Sequence, residues 1–399
     1  MSRWLLGSLD DVLTEVNDRN ATGAVELVLS VTEGRGIVPQ TEVFKKRIAT
    51  NDTVKYKVVA PLDIAWNPYL LWTGAVGQWL GSEPGVTSPV YPIFRARENQ
   101  EARFWGLVLE SGLLTPYFDS TAIGSIQRRR RTTLPVFKAA SVHIPSPVEQ
   151  RRIVDVMAAV DTQIAALGAE LEAFQAALGP LISGLLSQGG ASWPVKRLDE
   201  IGTFTRGRRF TKADYVESGL SAIHYGQIHT DLGLITTEAL TYLSENLRDR
   251  MRRASPGDVV IAATSENVED LGNATVWLGN DDAAVHDDAN IFKHDLDPVF
   301  AGCLFFSPEF QQQKVQYAAG TKVTRISSGN LGKIEVPVPT NRADQERIGN
   351  AVRAFSHAIE VVEADLMHLR SFRSALLAAL LNQEIEIPES YDRPLEEVS

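Results

Sequence analysis

Cysteine is almost missing from this 399-residue chain: Cys303 stands alone, so no internal disulfide can brace the fold. It lies in an apolar run, Gly302-Cys-Leu-Phe-Phe306, which points to a buried thiol in a reducing compartment. Long hydrophobic runs are missing too. No stretch approaches the ~20 apolar residues of a membrane span, and Met1-Ser-Arg-Trp-Leu-Leu6 lacks the apolar core of a signal peptide. The expected location is the cytoplasm, with no membrane partner. Metal-ligand spacing is also missing. His224 and His229 stand at i and i+5, and His286 and His294 lie eight apart, with no His-x-x-x-His, so no metal is expected. There is no Walker loop and no Gly-x-Ser-x-Gly elbow.

Two partial motifs fail on inspection. Asn67-Pro68-Tyr69 is similar to the Asn/Asp-Pro-Pro-Tyr loop of amino-methyltransferases. It lacks the second proline, and no Gly-x-Gly cofactor loop precedes it. A turn packed against Trp66 and Trp72 is the plainer reading. Pro256-Gly-Asp258 is followed by Glu266-Asn-Val268 without the lysine that a metal-dependent nuclease needs. The aspartate pairs Asp281-Asp282 and Asp287-Asp288 read as solvated turns. No catalytic residues are expected.

A net charge of -11 argues on its face against nucleic acid. Its location weakens that objection. Residues 149–187 carry five acids against two arginines, and residues 341–399 carry eleven against six, so eight of the excess negative charges sit in those two segments. The local field, not the total, decides where a polyanion docks.

What the chain does contain is one pattern stated twice. Residues 144–187 and 336–382 each read as a Pro-x-Pro entry into a long helix with apolar residues at 4-3 spacing. The first copy runs Ile153, Met157, Val160, Ile164, Leu167, Leu171, Phe174, Leu178, Leu181, Leu185. At an offset of 195 the second runs Ile348, Val352, Phe355, Ile359, Val362, Leu366, Leu369, Arg373, Leu376, Leu380, and only Arg373 breaks it. A strict seven-residue repeat specifies a helix that supercoils around a partner. Each of these helices can be the other's partner. Gly179-Pro180 is expected to kink the first near its end.

The repetition extends beyond the helices. Trp4–Val12 parallels Trp193–Ile201, Pro61-Leu-Asp-Ile64 parallels Pro256-Gly-Asp-Val259, and Ile93-Phe-Arg95 parallels Ile291-Phe-Lys293. Phe104-Trp-Gly106 parallels Phe300-Ala-Gly302, and Gly124-Ser-Ile-Gln-Arg128 parallels Gly320-Thr-Lys-Val-Thr-Arg325. The last match places Arg128 and Arg325 in equivalent positions. The fold class that follows is α+β: two similar domains separated by an antiparallel two-helix coiled coil with pseudo-two-fold symmetry. The bodies span residues 1–143 and 191–340, the helices 144–190 and 341–385, and an acidic tail 386–399. Length fixes the antiparallel direction. The first helix spans about 57 Å, and a domain of this size is about 40 Å across, too small to carry the chain back to the start. Helical stretches are expected over 98–112 and 297–318, and strands at Lys57–Ala60, Asp258–Ala262 and Ala274–Leu278.

Cations cluster beside polar and aromatic groups. Gln127-Arg128-Arg129-Arg130-Arg131 lies between a helix and a strand, and Arg206-Gly-Arg208-Arg209-Phe-Thr-Lys212 in a loop after Phe204. Lys45, Lys46, Arg47, Lys322 and Arg325 add to them. Arginine suits both phosphate and the guanine edge because its fork bonds bidentately. Tyr225, Gln227 and His229 place phenol, amide and imidazole in a turn where base contacts could form.

Ile144-Pro-Ser-Pro-Val-Glu-Gln-Arg-Arg-Ile153, and Val336-Pro-Val-Pro339 with Asp344-Gln-Glu-Arg-Ile348, resemble the conserved region of specificity subunits of type I restriction-modification enzymes. Trp193–Ile201, Gly207, Tyr225-Gly-Gln-Ile228, Pro256-Gly-Asp-Val259, Gly272-Asn-Ala274 and Leu331–Pro337 look like their target-recognition domains. The resemblance implies a non-catalytic subunit whose two domains each read half of a bipartite double-stranded DNA site. The helices set the spacing and help seat two methyltransferase (modification) subunits, which motor-nuclease (restriction) subunits join. S-adenosylmethionine, ATP and Mg are expected on those partners and none on this chain. Apolar helix positions not used in the pair would meet the partners. Replacing Arg208 and Arg209 with Ala is expected to weaken DNA binding and flatten its salt dependence. The competing reading is a two-domain coiled-coil scaffold that binds proteins and no DNA.

Overall fold

The computed structural model describes residues 4–44, 53–124, 130–188, 192–320 and 322–392. Lys45, Lys46, Arg47, Arg128, Arg129 and the last residues of the acidic tail lie outside them. The chain divides into two compact units, Met1–Ala166 with Met367–Ser399, and Leu167–Leu366. Both mix helix and strand, and each contains part of both long helices, Pro147–Ser187 and Arg342–Leu381.

In the first unit a four-stranded antiparallel sheet runs in the order Leu13–Val16, Ile93–Ala96, Ile64–Trp66, Val76–Gln78. The helix Ala102–Glu110 covers it with Phe104, Trp105 and Leu107, all buried. Phe137 stacks on Trp66 at 4.8 Å and on Phe118 at 5.8 Å, closing the core. Each such side chain contributes about 1.5–3 kcal/mol by leaving water. Two further strand pairs, Leu29–Thr32 with Gly36–Pro39 and Lys57–Val59 with Gly85–Thr87, form a separate layer.

The second unit repeats the same sheet order with Gly202–Arg206, Ala289–His294, Val259–Ala262 and Ala274–Trp277, and adds Ile235–Thr236 as a parallel edge. Pro298–Leu304 takes the place of the covering helix and buries Phe300 and Cys303. Burial pushes the Cys303 thiol up to about 12, so it stays protonated. Duplicated detail supports the duplicated order. Asp63 accepts from Ala60 N and pairs with Arg95, and Asp258 accepts from Ser255 N and pairs with Lys293. Trp79 Nε1 donates to Glu83 O and Trp277 Nε1 to Asp281 O, both at 2.7 Å. The units part company in the outer layer. Here the second unit builds a five-stranded sheet from Tyr215–Val216, Thr241–Leu243, Leu220–Ile223, Ala283–Val285 and Arg253–Ala254.

The long helices pair antiparallel within each unit. In the first, Ile153 and Met157 near the start of one share a core with Leu377 and Leu380 near the end of the other. In the second, Phe174 meets Phe355 edge-on at 5.6 Å, and Gln175 donates to Glu363 at 2.9 Å. All the positions of the 4-3 pattern are buried or half-buried, Val160, Ile164, Leu171, Ile359, Leu366 and Leu376 among them. One correction falls after Leu178. The helix continues through Pro180 to Ser187, but its buried residues are Ile182 and Leu186, with Leu181 and Leu185 only half-covered. A helix of 3.6 residues per turn drifts off a seven-residue repeat, and this end packs on the second unit's core beside Leu198 and Ile334 rather than on a helix alone.

The break that Arg373 makes in the apolar pattern has a partner across the helix pair, within an unbroken helix. Its guanidinium forms a two-pronged ion pair with Asp161, the second prong at 3.0 Å. Glu110, whose carboxyl burial holds above the usual range, lies close enough to add to the field on Arg373. Among the described residues no helix is long and apolar enough to cross a membrane.

Candidate nucleic-acid interface

A cavity of about 710 Å³ opens in the second unit where the sheet's Arg206 end meets the loop before Ser328–Gly332. Arg206, Arg209 and Arg325 line it together with His224, His286, Asp287, Asp288, Asn290 and Ser327. Gly207 makes this shape possible. A side chain there would sit 2.2 Å from the carbonyl oxygen of His286. Without one, Gly207 N bonds Ala289 O at 2.9 Å and Arg208 N bonds Val285 O at 2.8 Å, fixing the arginine turn against the neighbouring loop.

The arginines then divide by role. Arg206 donates to Asp287 O at 2.5 Å and pairs with its carboxylate at 3.4 Å. Arg208 donates to Arg250 O at 2.7 Å. Both are spent holding loops. Arg209 and Arg325 are exposed at the cavity, and among the described residues neither side chain has a hydrogen bond or ion pair. Lys212, in the turn Lys212–Asp214, and Lys322 are exposed nearby in sequence.

Tyr225, Gln227 and His229 do not form a turn; they lie on a short helix, Tyr225–Thr230. That helix exists because His224 Nδ1 accepts from Gly226 N at 3.1 Å while Gln227 Oε1 accepts from His224 N at 2.8 Å, a reciprocal cap. His229 Nε2 donates to Thr264 O at 3.0 Å. The amide and imidazole therefore have internal partners. Tyr225 packs its ring on His224, 4.7 Å between centroids.

Sequence reading missed His224, His286, Asn290, Asp287 and Asp288 as cavity residues. The two aspartates are half-buried, not solvated turns: Asp288 accepts from Thr264 Oγ1 at 3.0 Å and its N–H bonds His286 Nδ1 at 3.2 Å. His286, Asp287 and Asp288 bring ligand atoms within 4.8 Å of one another, the one group among the described residues with cation-binding spacing. Those atoms already serve Arg206, Thr264 and the loop backbone. Burial and the neighbouring His286 hold His224 below the ordinary histidine range, so the cavity wall is neutral there at neutral pH. The only signal in the sequence was the proximity of His224 to the Tyr-Gly-Gln-Ile run.

The first unit presents a matching hairpin. Ile123 and Arg131 exchange backbone bonds at 3.0 Å, as Ala319 and Arg325 do at 3.0 and 2.8 Å. Gly124 and Gly320 precede the cations with φ of 126° and 117°, a region that favours glycine. The equivalence is therefore Arg131 with Arg325, not Arg128 with Arg325. The connecting loop is two residues longer in the first unit, which shifts the count. Arg131 is exposed, whereas Arg130 is bound to Asp119 at 2.8 Å and lies 4.4 Å over the Trp72 ring. Asn67 is a turn residue here, accepting from Tyr69 N at 3.0 Å and donating to Tyr91 at 2.9 Å.

Comparison with known proteins bears on this geometry. No protein-family model matches the chain, and no curated protein matches it significantly. Solved structures do. One, from a study of complex assembly and conformational transition in a type I R-M system, has a TM-score of 0.59 at 14% identity, covering 96% of this chain and 98% of that one. More remote are the HsdS subunit from Thermoanaerobacter tengcongensis (TM-score 0.49, 14% identity, 96% and 98% covered) and the type I restriction-modification S subunit from M. genitalium (0.49, 13%, 95% and 96%). The fold is thus one found in type I restriction-modification proteins, the family that the sequence resembles. At this identity the likeness establishes the fold.

Proposed function

We propose that this chain is the DNA-specificity subunit of a type I restriction-modification assembly and has no catalysis of its own. In this reading each unit reads one half of a bipartite double-stranded site. The observation that carries it is a duplicated fold with cations on the same hairpin in both copies, Arg131 and Arg325, whose side chains have no partner among the described residues; in the second unit Arg325 lines a polar cavity that also exposes Arg209. Free guanidinium groups supply phosphate contacts, which set affinity and register. His224 and Ser327, at the cavity wall, are the groups offered to base edges. The different outer layers of the two units suit two different half-sites.

The helices seat the modification subunits. Support comes from apolar residues that the helix pair leaves uncovered: Met367 is 61% and Phe372 53% exposed. S-adenosylmethionine, ATP and Mg belong to the partners.

The test is DNA binding by the full chain with its modification subunit, followed by fluorescence anisotropy across a salt series. Replacing Arg209 and Arg325 with Ala is expected to weaken binding to every duplex and to reduce the slope of log affinity against log salt by about 2. An assembled complex that binds no duplex at any salt would leave the scaffold reading standing instead.

A further inference from the structure

One feature appears in both units outside the cavity. Gln150 and Gln345, 195 positions apart, are the polar residues buried at the start of each long helix, with Gln150 fully covered and Gln345 6% exposed. Each amide makes two bonds of the same kind, and Gln150 Nε2 also donates to Gln100 Oε1 at 2.9 Å. Gln150 Nε2 donates to Pro145 O and Gln345 Nε2 to Pro339 O, both at 3.0 Å. Gln150 Oε1 accepts from Glu101 N at 2.8 Å, and Gln345 Oε1 from Asp297 N at 3.1 Å. Glu101 and Asp297 are the residues that cap the helix covering each sheet.

We propose that Gln150 and Gln345 are positioning residues that lock each recognition body to its own long helix and thereby set how strictly the distance between half-sites is read. The inference rests on the specificity-subunit reading. Three features of the chemistry single out glutamine. The position needs a donor toward the proline carbonyl and an acceptor for the cap N–H, and a neutral amide supplies both. Glutamate has no donor when ionised, and an apolar side chain satisfies neither backbone group. The two bonds that both glutamines share end on main-chain atoms, so they survive in two bodies whose side chains have diverged. In the second unit the fit is closer still: a side chain on Gly349 would meet the Asp297 carboxylate at 2.1 Å, so only glycine lets the cap approach the helix.

The experiment compares the full chain with Gln150→Glu, Gln345→Glu and Gln345→Met, each co-expressed with the modification subunit, by sequencing methylated adenines. The expected result is that both half-site sequences persist while discrimination against spacers one base pair longer or shorter falls about tenfold, as buried hydrogen bonds left unmade imply. Unchanged spacer discrimination in the assembled variants overturns the proposal. A wild-type complex with no bipartite motif would instead overturn the reading beneath it. Should the variants not fold, hydrogen exchange on the wild-type complex decides: the Glu101 and Asp297 amides must exchange as slowly as the Val259–Ala262 strand, and rapid exchange overturns the lock.

Discussion

Arginine and histidine carry most of the chemistry in this molecule, and in each case the partner decides the role. Arg206, Arg208 and Arg130 are drawn from the same basic runs as Arg209 and Arg131, yet they brace loops through Asp287, Arg250 O and Asp119. A run of arginines in a sequence shows where positive charge concentrates; it does not show which members are already committed. The same holds for His224 and His294, both held below the ordinary value of 6.5 first by burial. For His224, Lys212 pushes the same way while Asp287 and Asp288 push against it. Folded, these rings prefer to be neutral, so the unfolded chain binds more protons as acidity increases. Their contribution to stability is full above the ordinary histidine value of 6.5 and is lost as pH falls below it. Thermal midpoints measured from pH 7.5 to 5.5 are expected to fall less steeply in a His224→Asn, His294→Asn variant than in the wild type. Parallel curves would refute the assignment.

At the scale of elements, the long helices were the most legible part of the sequence, because a seven-residue period persists whatever surrounds it. The exceptions came from contacts that a period cannot show. Arg373 sits at an apolar position because Asp161 and Glu110 face it in the first unit, and the ion pair takes the place of a hydrophobic layer. Replacing Arg373 with Leu should therefore lower stability despite restoring the pattern, since Asp161 is left unpaired. The pair is partly exposed, so the cost is about 1 kcal/mol. An Asp161→Leu, Arg373→Leu double variant should recover it, and thermal unfolding of the two tests this directly. Recovery by Arg373→Leu alone would mean that the ion pair contributes nothing. The end of the first helix was read one residue out of phase for a related reason: Ile182 and Leu186 answer to the second unit's core, not to the repeat.

For the whole molecule, repetition was the feature the sequence stated best and the structure extended. The four strands of the first unit's inner sheet recur in the same order in the second, and the Asp63 and Asp258 turns and the Trp79 and Trp277 bonds recur. The outer layers differ, and no alignment of short matches reveals that. The candidate site was half visible: Arg209 and Arg325 were named, while the cavity residues His286 and Asn290 came from strands and loops distant in sequence. Gln150 and Gln345 were visible only as letters in a resemblance, because burial of a polar residue on a charged stretch leaves no periodic trace. The central claim is that two similar, non-identical units read two halves of one DNA site. Sequencing methylated adenines in cells that carry this chain with its modification subunit measures it most directly. The account predicts one motif of two unlike half-sites separated by a fixed unread spacer; a single contiguous motif, or no motif from a complex that assembles, would contradict it.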